Sequence, residues 1–177
     1  KQVWQWLFQK RALEFAEMTN LSRHLRDELA RDFSISGLTV VRRAESCDGT
    51  VKFLFGLGDG QSIESVLIPE TKRLTLCIST QVGCAYGCAF CATALLGFKR
   101  NLTASEIVDQ IIEASRAGTD DQRITNIVLM GMGEPLANYA NTLRAIEIIT
   151  DGSWGLGIAP RRVTLSSVAG GSRPVST

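Results

Sequence analysis

Three cysteines in one short run, Cys84-Ala-Tyr-Gly-Cys88-Ala-Phe-Cys91, constrain this chain more than any other feature of it. Their spacing is C-x3-C-x2-C, and the run follows directly on an apolar stretch from Leu74 to Ile78 that reads as a strand. Three thiolates can hold three irons of a 4Fe–4S cluster and leave the fourth iron open to a small chelating molecule. A zinc site is the alternative and needs a fourth soft ligand. The single histidine, His24, lies far upstream in a polar helix, but Cys77 could supply that ligand. A disulfide framework fits poorly, because five cysteines is an odd number and no secretory segment opens the chain.

The rest of the composition bounds the answer loosely. At 177 residues and 45% hydrophobic content the chain is globular, with enough apolar side chains for one core or a small domain beside part of a larger one. A formal charge of +1 says nothing about a polyanionic partner. Basic residues do gather in pairs, Lys72 with Arg73, Lys99 with Arg100, and Arg161 with Arg162, either as solvated faces or as phosphate contacts. No apolar run approaches a membrane span. Free cysteines that bind metal fit a reducing cytosol, so a cytoplasmic location is expected.

Three regions follow from the pattern along the chain. Residues 1–35 read as a helical accessory module, with Val3, Trp4, Leu7 and Phe8 at helical spacing and Asn20 or Ser22 able to cap a further helix. Residues 36–69 read as a β-hairpin region, because Asp48-Gly49 and Gly58-Asp59-Gly60 are turn signals between apolar runs. From 70 to 177 strands and helices alternate. Thr103-Ala-Ser-Glu106 is a capping box that opens an amphipathic helix closed by Gly118. The run from Ile124 to Met130 is an apolar strand leading into Gly131-Met-Gly-Glu134-Pro135, then a helix from Asn138 to Thr150 and a strand from Arg162 to Ser166. This alternation predicts an α/β fold with a parallel sheet, part of a (β/α) barrel, whose site lies at the carboxyl ends of the strands.

With those residues in view, the chain resembles the RlmN/Cfr family of radical S-adenosylmethionine (SAM) enzymes, which methylate adenosine in RNA. The likeness rests on Cys77-Ile-Ser-Thr-Gln-Val-Gly-Cys84, Cys88, Phe90-Cys91, Gly97-Phe98, Arg100-Asn101-Leu102, Gly131-Met-Gly-Glu-Pro-Leu136 and Val163-Thr-Leu-Ser166. The resemblance implies a 4Fe–4S cluster on Cys84, Cys88 and Cys91, with SAM bound at Gly133, Glu134 and Ser166. It implies that Glu64 accepts a proton, and that Cys77 resolves a protein–RNA crosslink by helping to form a disulfide. Cys47 matches no family role. The resemblance further implies an external electron donor, a monomer, and 23S rRNA as substrate, with tRNA left open.

The chain begins at Lys1 inside an apparent helix and stops at Thr177, so it reads as a fragment. In the family a second, methyl-carrying cysteine lies further on, so this polypeptide alone is not expected to complete a turnover. Ala169-Gly-Gly-Ser-Arg-Pro-Val-Ser-Thr177 also departs from the family's apolar continuation. Methylation at adenosine C2 is the expected activity. C8 methylation, a non-catalytic metal-binding RNA module and a zinc-stabilised structural domain are the alternatives.

Overall fold

A computed structural model of the chain describes residues 2–10, 12–117 and 123–168. The amino-terminal module starts with α1 (Gln2–Trp4), which runs into a π-helical stretch, Gln5–Gln9, and continues through a 3-10 turn, Phe15–Glu17, to α2 (Arg23–Asp32). Trp4 stacks on Phe8 at 5.2 Å, the neighbour it meets at helical spacing. Ser22 caps α2 by accepting the Leu25 N–H at 3.2 Å. Ala12, Phe15, Met18 and Leu21 form a small core of their own, walled by Trp6, Leu7 and Leu29.

The strands that follow make one mixed sheet. β1 (Thr39–Glu45), β2 (Val51–Gly56), β3 (Ser62–Glu70) and β4 (Arg73–Cys77) run antiparallel in sequence order. A short ladder of β5 (Gln81–Val82) on β6 (Arg100–Asn101) flanks the cysteine run. Beyond α3 (Ala104–Ala117), β7 (Asn126–Leu129) joins β4 in parallel. After α4 (Tyr139–Thr150), β8 (Val163–Leu165) joins β7 in parallel, giving the order β1-β2-β3-β4-β7-β8. The predicted alternation is therefore present. The residues expected to form hairpins extend the parallel strands within the same sheet, because β3 pairs with β4 from Val66–Cys77 to Glu70–Arg73. The expected helix stop at Gly118 lies outside the described residues.

Period-two alternation decides the two faces of the sheet. Phe53, Phe55, Ile63, Leu67, Leu76, Ile127 and Leu129 are buried in one core with Ile107 and Ile111 of α3 and Ala145 and Ile149 of α4. The opposite face carries Lys52, Leu54, Glu64, Val66, Cys77 and Val128, all half-buried or exposed. The capping box forms as read: Thr103 Oγ1 accepts the Glu106 N–H at 3.2 Å and Glu106 accepts the Thr103 N–H at 2.8 Å. Arg100 then grips that helix start with two bonds to Glu106 and reaches Asp59 in the β2–β3 turn at 2.6 Å. The amino-terminal module is tied to the sheet layer by Phe8 packing on the main core, and by Arg116 of α3 donating to the Ala12 carbonyl at 2.5 Å.

Candidate cofactor site at the strand ends

The three parallel strands end side by side, and each exit carries residues singled out by the sequence. β4 ends at Cys77 and leads to the cysteine run, β7 leads to Gly131–Glu134, and β8 leads to Ser166. The first two exits are zipped together by backbone. Ile78 donates to Val128 at 2.9 Å, Gly131 to Ile78 at 3.0 Å, and Thr80 and Gln81 both donate to Met132, at 2.8 and 3.2 Å. Gly131 permits this approach, since a Cβ there would stand 2.7 Å from the Ile78 carbonyl oxygen.

Buried amides finish the zip. Gln81, 1% exposed, accepts N–H groups from Ala85 at 3.2 Å and Glu134 at 2.9 Å, and donates to Asn101 at 2.8 Å. Asn138 donates to the Thr80 and Leu102 carbonyls, each at 2.8 Å. Gln110 of α3 accepts from Ser65 and from the Ser79 N–H, both at 2.8 Å, and donates back to the Ser79 carbonyl at 2.9 Å. Sequence reasoning missed these residues, although Gln110 gave a signal: a polar side chain on the apolar stripe of α3, between Ile107 and Ile111.

The cysteines sit above this platform. Cys84, Cys88 and Cys91 are half-buried free thiols on one loop. Burial pushes the Cys84 thiol above its ordinary pKa, a Tyr86 N–H donating to its sulfur at 3.4 Å opposes this, and nearby Cys91, Cys88 and Glu134 raise it further. The loop is closed where Gly83, at φ +72°, passes Gly97; a Cβ on Gly83 would stand 1.7 Å from the Gly97 carbonyl oxygen. Among the described residues no three His, Cys, Asp or Glu side chains are gathered closely enough to form a finished metal site. All five cysteines are free, so no disulfide links them within this chain, and Cys47 is exposed.

The remaining candidates divide. Glu134 is 3% exposed and each of its oxygens already accepts a backbone N–H at 2.9 Å, from Leu136 and from Val168. It therefore ties the exit of β7 to the exit of β8, in addition to standing where an ammonium was expected. Gly133, at φ +102°, packs on Gln81, which a Cβ would meet at 2.6 Å. Ser166 is exposed just past β8. Cys77 and Glu64 share the open face of the sheet, Glu64 in an ion pair with Lys52 at 2.6 Å. Burial raises the Cys77 pKa, opposed by the Met130 N–H donating to its sulfur.

Comparison with known proteins converges on this region. Residues 78–172 match the family model of the radical SAM superfamily, and residues 1–35 match the ribosomal RNA large subunit methyltransferase N-terminal domain. The dual-specificity RNA methyltransferase RlmN of Desulfosudis oleivorans is 55% identical over 94% of this chain and 45% of its own length. A probable dual-specificity RNA methyltransferase RlmN of Thermus thermophilus is 49% identical over 94% of this chain and 47% of its own. The crystal structure of a radical SAM methyltransferase from Sphaerobacter thermophilus superposes with a TM-score of 0.88 at 44% identity, over 94% of this chain and 49% of that one. The chain thus spans about half the length of the relatives it matches, and its fold is that of part of a radical SAM methyltransferase.

Proposed function

The chain belongs to the radical SAM superfamily, and from that premise we propose that it is the cofactor-binding part of an RNA methyltransferase acting on adenosine C2 in 23S rRNA and tRNA. The observation that carries this reading is the pinning together of the cysteine loop and the Gly131–Glu134 loop at the carboxyl ends of adjacent parallel strands. Such strand ends are where α/β folds of this kind do their chemistry.

The donor set fits an iron–sulfur cluster. Three free, half-buried thiols come from one loop, in the soft-ligand chemistry such clusters take. Cys84, Cys88 and Cys91 would hold the cluster, which when bound supplies the electron that cleaves SAM reductively. The backbone at Gly133 and the Glu134 carboxylate would hold the amino group of SAM, with Ser166 adding a hydroxyl contact from the neighbouring strand end. Glu134 keeps lone pairs for that ammonium beyond the two N–H groups it already holds. Glu64, on the open sheet face, would accept the proton leaving the adenine ring carbon. Cys77, one strand away on that face, would be the protein thiol that works with a second cysteine of the parent protein in releasing the methylated base. The reading entails a cytosolic monomer drawing on an external electron donor, with RNA as its partner.

The test is anaerobic reconstitution with iron and sulfide, followed by EPR of the reduced chain with and without SAM. A cluster signal that SAM perturbs supports the reading. Retained zinc without a cluster would sink it. Mass analysis of the nucleoside made by the full-length parent separates C2 from C8 methylation.

A further inference from the structure

Gln81 holds an unusual position between the two loops. Its single amide oxygen takes the Ala85 N–H, the first residue after Cys84, and the Glu134 N–H, the last of the Gly-Met-Gly-Glu turn. Neither loop's amide can withdraw without leaving a partly or fully buried donor unpaired. The side chain itself has little room to follow one loop and abandon the other. Its amide nitrogen is held by Asn101 on the paired strand β6, and its stem lies against Gly133, where any Cβ would collide with Gln81 Cβ and Cγ at 2.6 and 2.7 Å. The Gln81 N–H is fixed as well, donating to the Met132 carbonyl at 3.2 Å.

We infer that Gln81 is a positioning residue that couples the cysteine loop to the cofactor loop, so that ordering the first around iron sets the second to receive SAM. This rests on the cofactor reading above and adds to it a residue that acts through the two loops. A glutamine suits this role because its oxygen has two lone pairs for the two loops, while its NH2 group takes up the tie to Asn101. A methionine of similar length fills the same space and offers neither function.

The experiment compares the unaltered chain with Gln81→Met and Gln81→Glu. Amide hydrogen exchange at Ala85 and Glu134 is read without iron. Iron per chain and the SAM dissociation constant are read after anaerobic reconstitution. In Gln81→Met both amides should exchange at least about tenfold faster together, iron uptake should stay near the unaltered value, and SAM affinity should fall about tenfold, the loss of one buried hydrogen bond. Gln81→Glu, whose carboxylate can accept both N–H groups but cannot donate to Asn101, should recover joint protection and affinity in part. A purely structural role would lower iron uptake and SAM affinity alike, and that result overturns the inference. So does faster exchange at only one amide, or unchanged SAM affinity when both exchange faster. Should Gln81→Met lose its cooperative melt, Gln81→Asn takes its place, because its shorter side chain cannot span both amides. If the unaltered chain takes up no cluster, the cofactor reading falls, and joint or separate exchange of the two amides still decides whether Gln81 couples the loops.

Discussion

Glu64 and Cys77 stand on the same face of the sheet: Cys77 pairs with Val66 across β3 and β4, and Glu64 lies two residues along β3 from that partner. Both side chains therefore open toward the surface continuous with the strand exits, and away from the core. Glu64 meets Lys52 at 2.6 Å, but both side chains are about half exposed, so the pair itself contributes at most about 1 kcal/mol. Glu64→Gln should leave the melting temperature of this chain almost unchanged. In the full-length parent the same change should cut methylation roughly 100-fold or more, the usual size of a lost acid–base group. A thermal melt of the chain beside a methylation assay of the parent checks the two halves. Undiminished methylation would remove Glu64 from the site.

Gly83→Ala should be among the most damaging single changes in the cysteine loop. The residue sits at φ +72° and its new Cβ would stand 1.7 Å from the Gly97 carbonyl oxygen. A loss of roughly 2–4 kcal/mol is expected in a urea melt, from backbone strain and the forced opening of the loop. Gly58→Ala is the control, since nothing lies within 4 Å of its added Cβ. It should change stability by no more than about 0.5 kcal/mol.

The pH dependence of stability should carry the mark of Asp109. Burial raises its pKa from 3.8 to about 6; the Gly37 N–H lowers it, Glu113 raises it, Arg116 lowers it and Glu106 raises it. Between those values the folded chain binds more protons than the unfolded chain, so this group's contribution to stability falls as pH rises. Above about 6 the ionised carboxylate costs the fold its full penalty, of the order of 3 kcal/mol. Asp109→Asn keeps an acceptor for the Gly37 N–H, now bonded at 3.1 Å. It should stabilise the chain at pH 7.5 and flatten the slope between pH 4 and 6, as read from urea melts across that range.

Gln110→Leu tests the polar stitching beneath the strand exits. It strips partners from the Ser65 hydroxyl and from both backbone groups of Ser79, all buried. A loss of about 2–4 kcal/mol is expected, since unpaired buried polar groups keep their desolvation cost. Adding Ser65→Ala should recover part of it by removing one of the orphaned donors. A double-mutant cycle in urea melts reads that coupling.

Much of the architecture was legible in the residues, and for physical reasons. The Thr103–Glu106 capping box and the turns at Gly49 and Gly60, both at φ 81°, are local chemistry and fold as read. The amino-terminal helices are also local, although Gln5–Gln9 winds as a π-helix that apolar spacing does not distinguish from an α-helix. The continuity of the hairpins with the parallel strands was not legible, because the tight turn that joins β3 to β4, Glu70-Thr71-Lys72-Arg73, carries no Gly or Asn signal. Nor was the bridging of two strand exits by Glu134. Its motif suggests an ammonium acceptor, but only the approach of Val168 from the third strand exit reveals that the same carboxylate joins two loops. Gln81 lies inside a recognisable run yet carries no signal of its own, since its partners Ala85, Asn101 and Glu134 are brought to it only by the folded sheet.

The grip on the cysteine loop is exerted on main-chain atoms: Gln81 takes the N–H of Ala85, and Gly97 offers its carbonyl to the N–H of Cys84 at 3.3 Å. Contacts of that kind are blind to the letters carried by the residues they hold. Changing the side chain at Ala85 or at the exposed Ala89 therefore removes neither of these bonds. The hold on the loop thus belongs to Gln81 and Gly97, and not to the side chains that the loop itself presents.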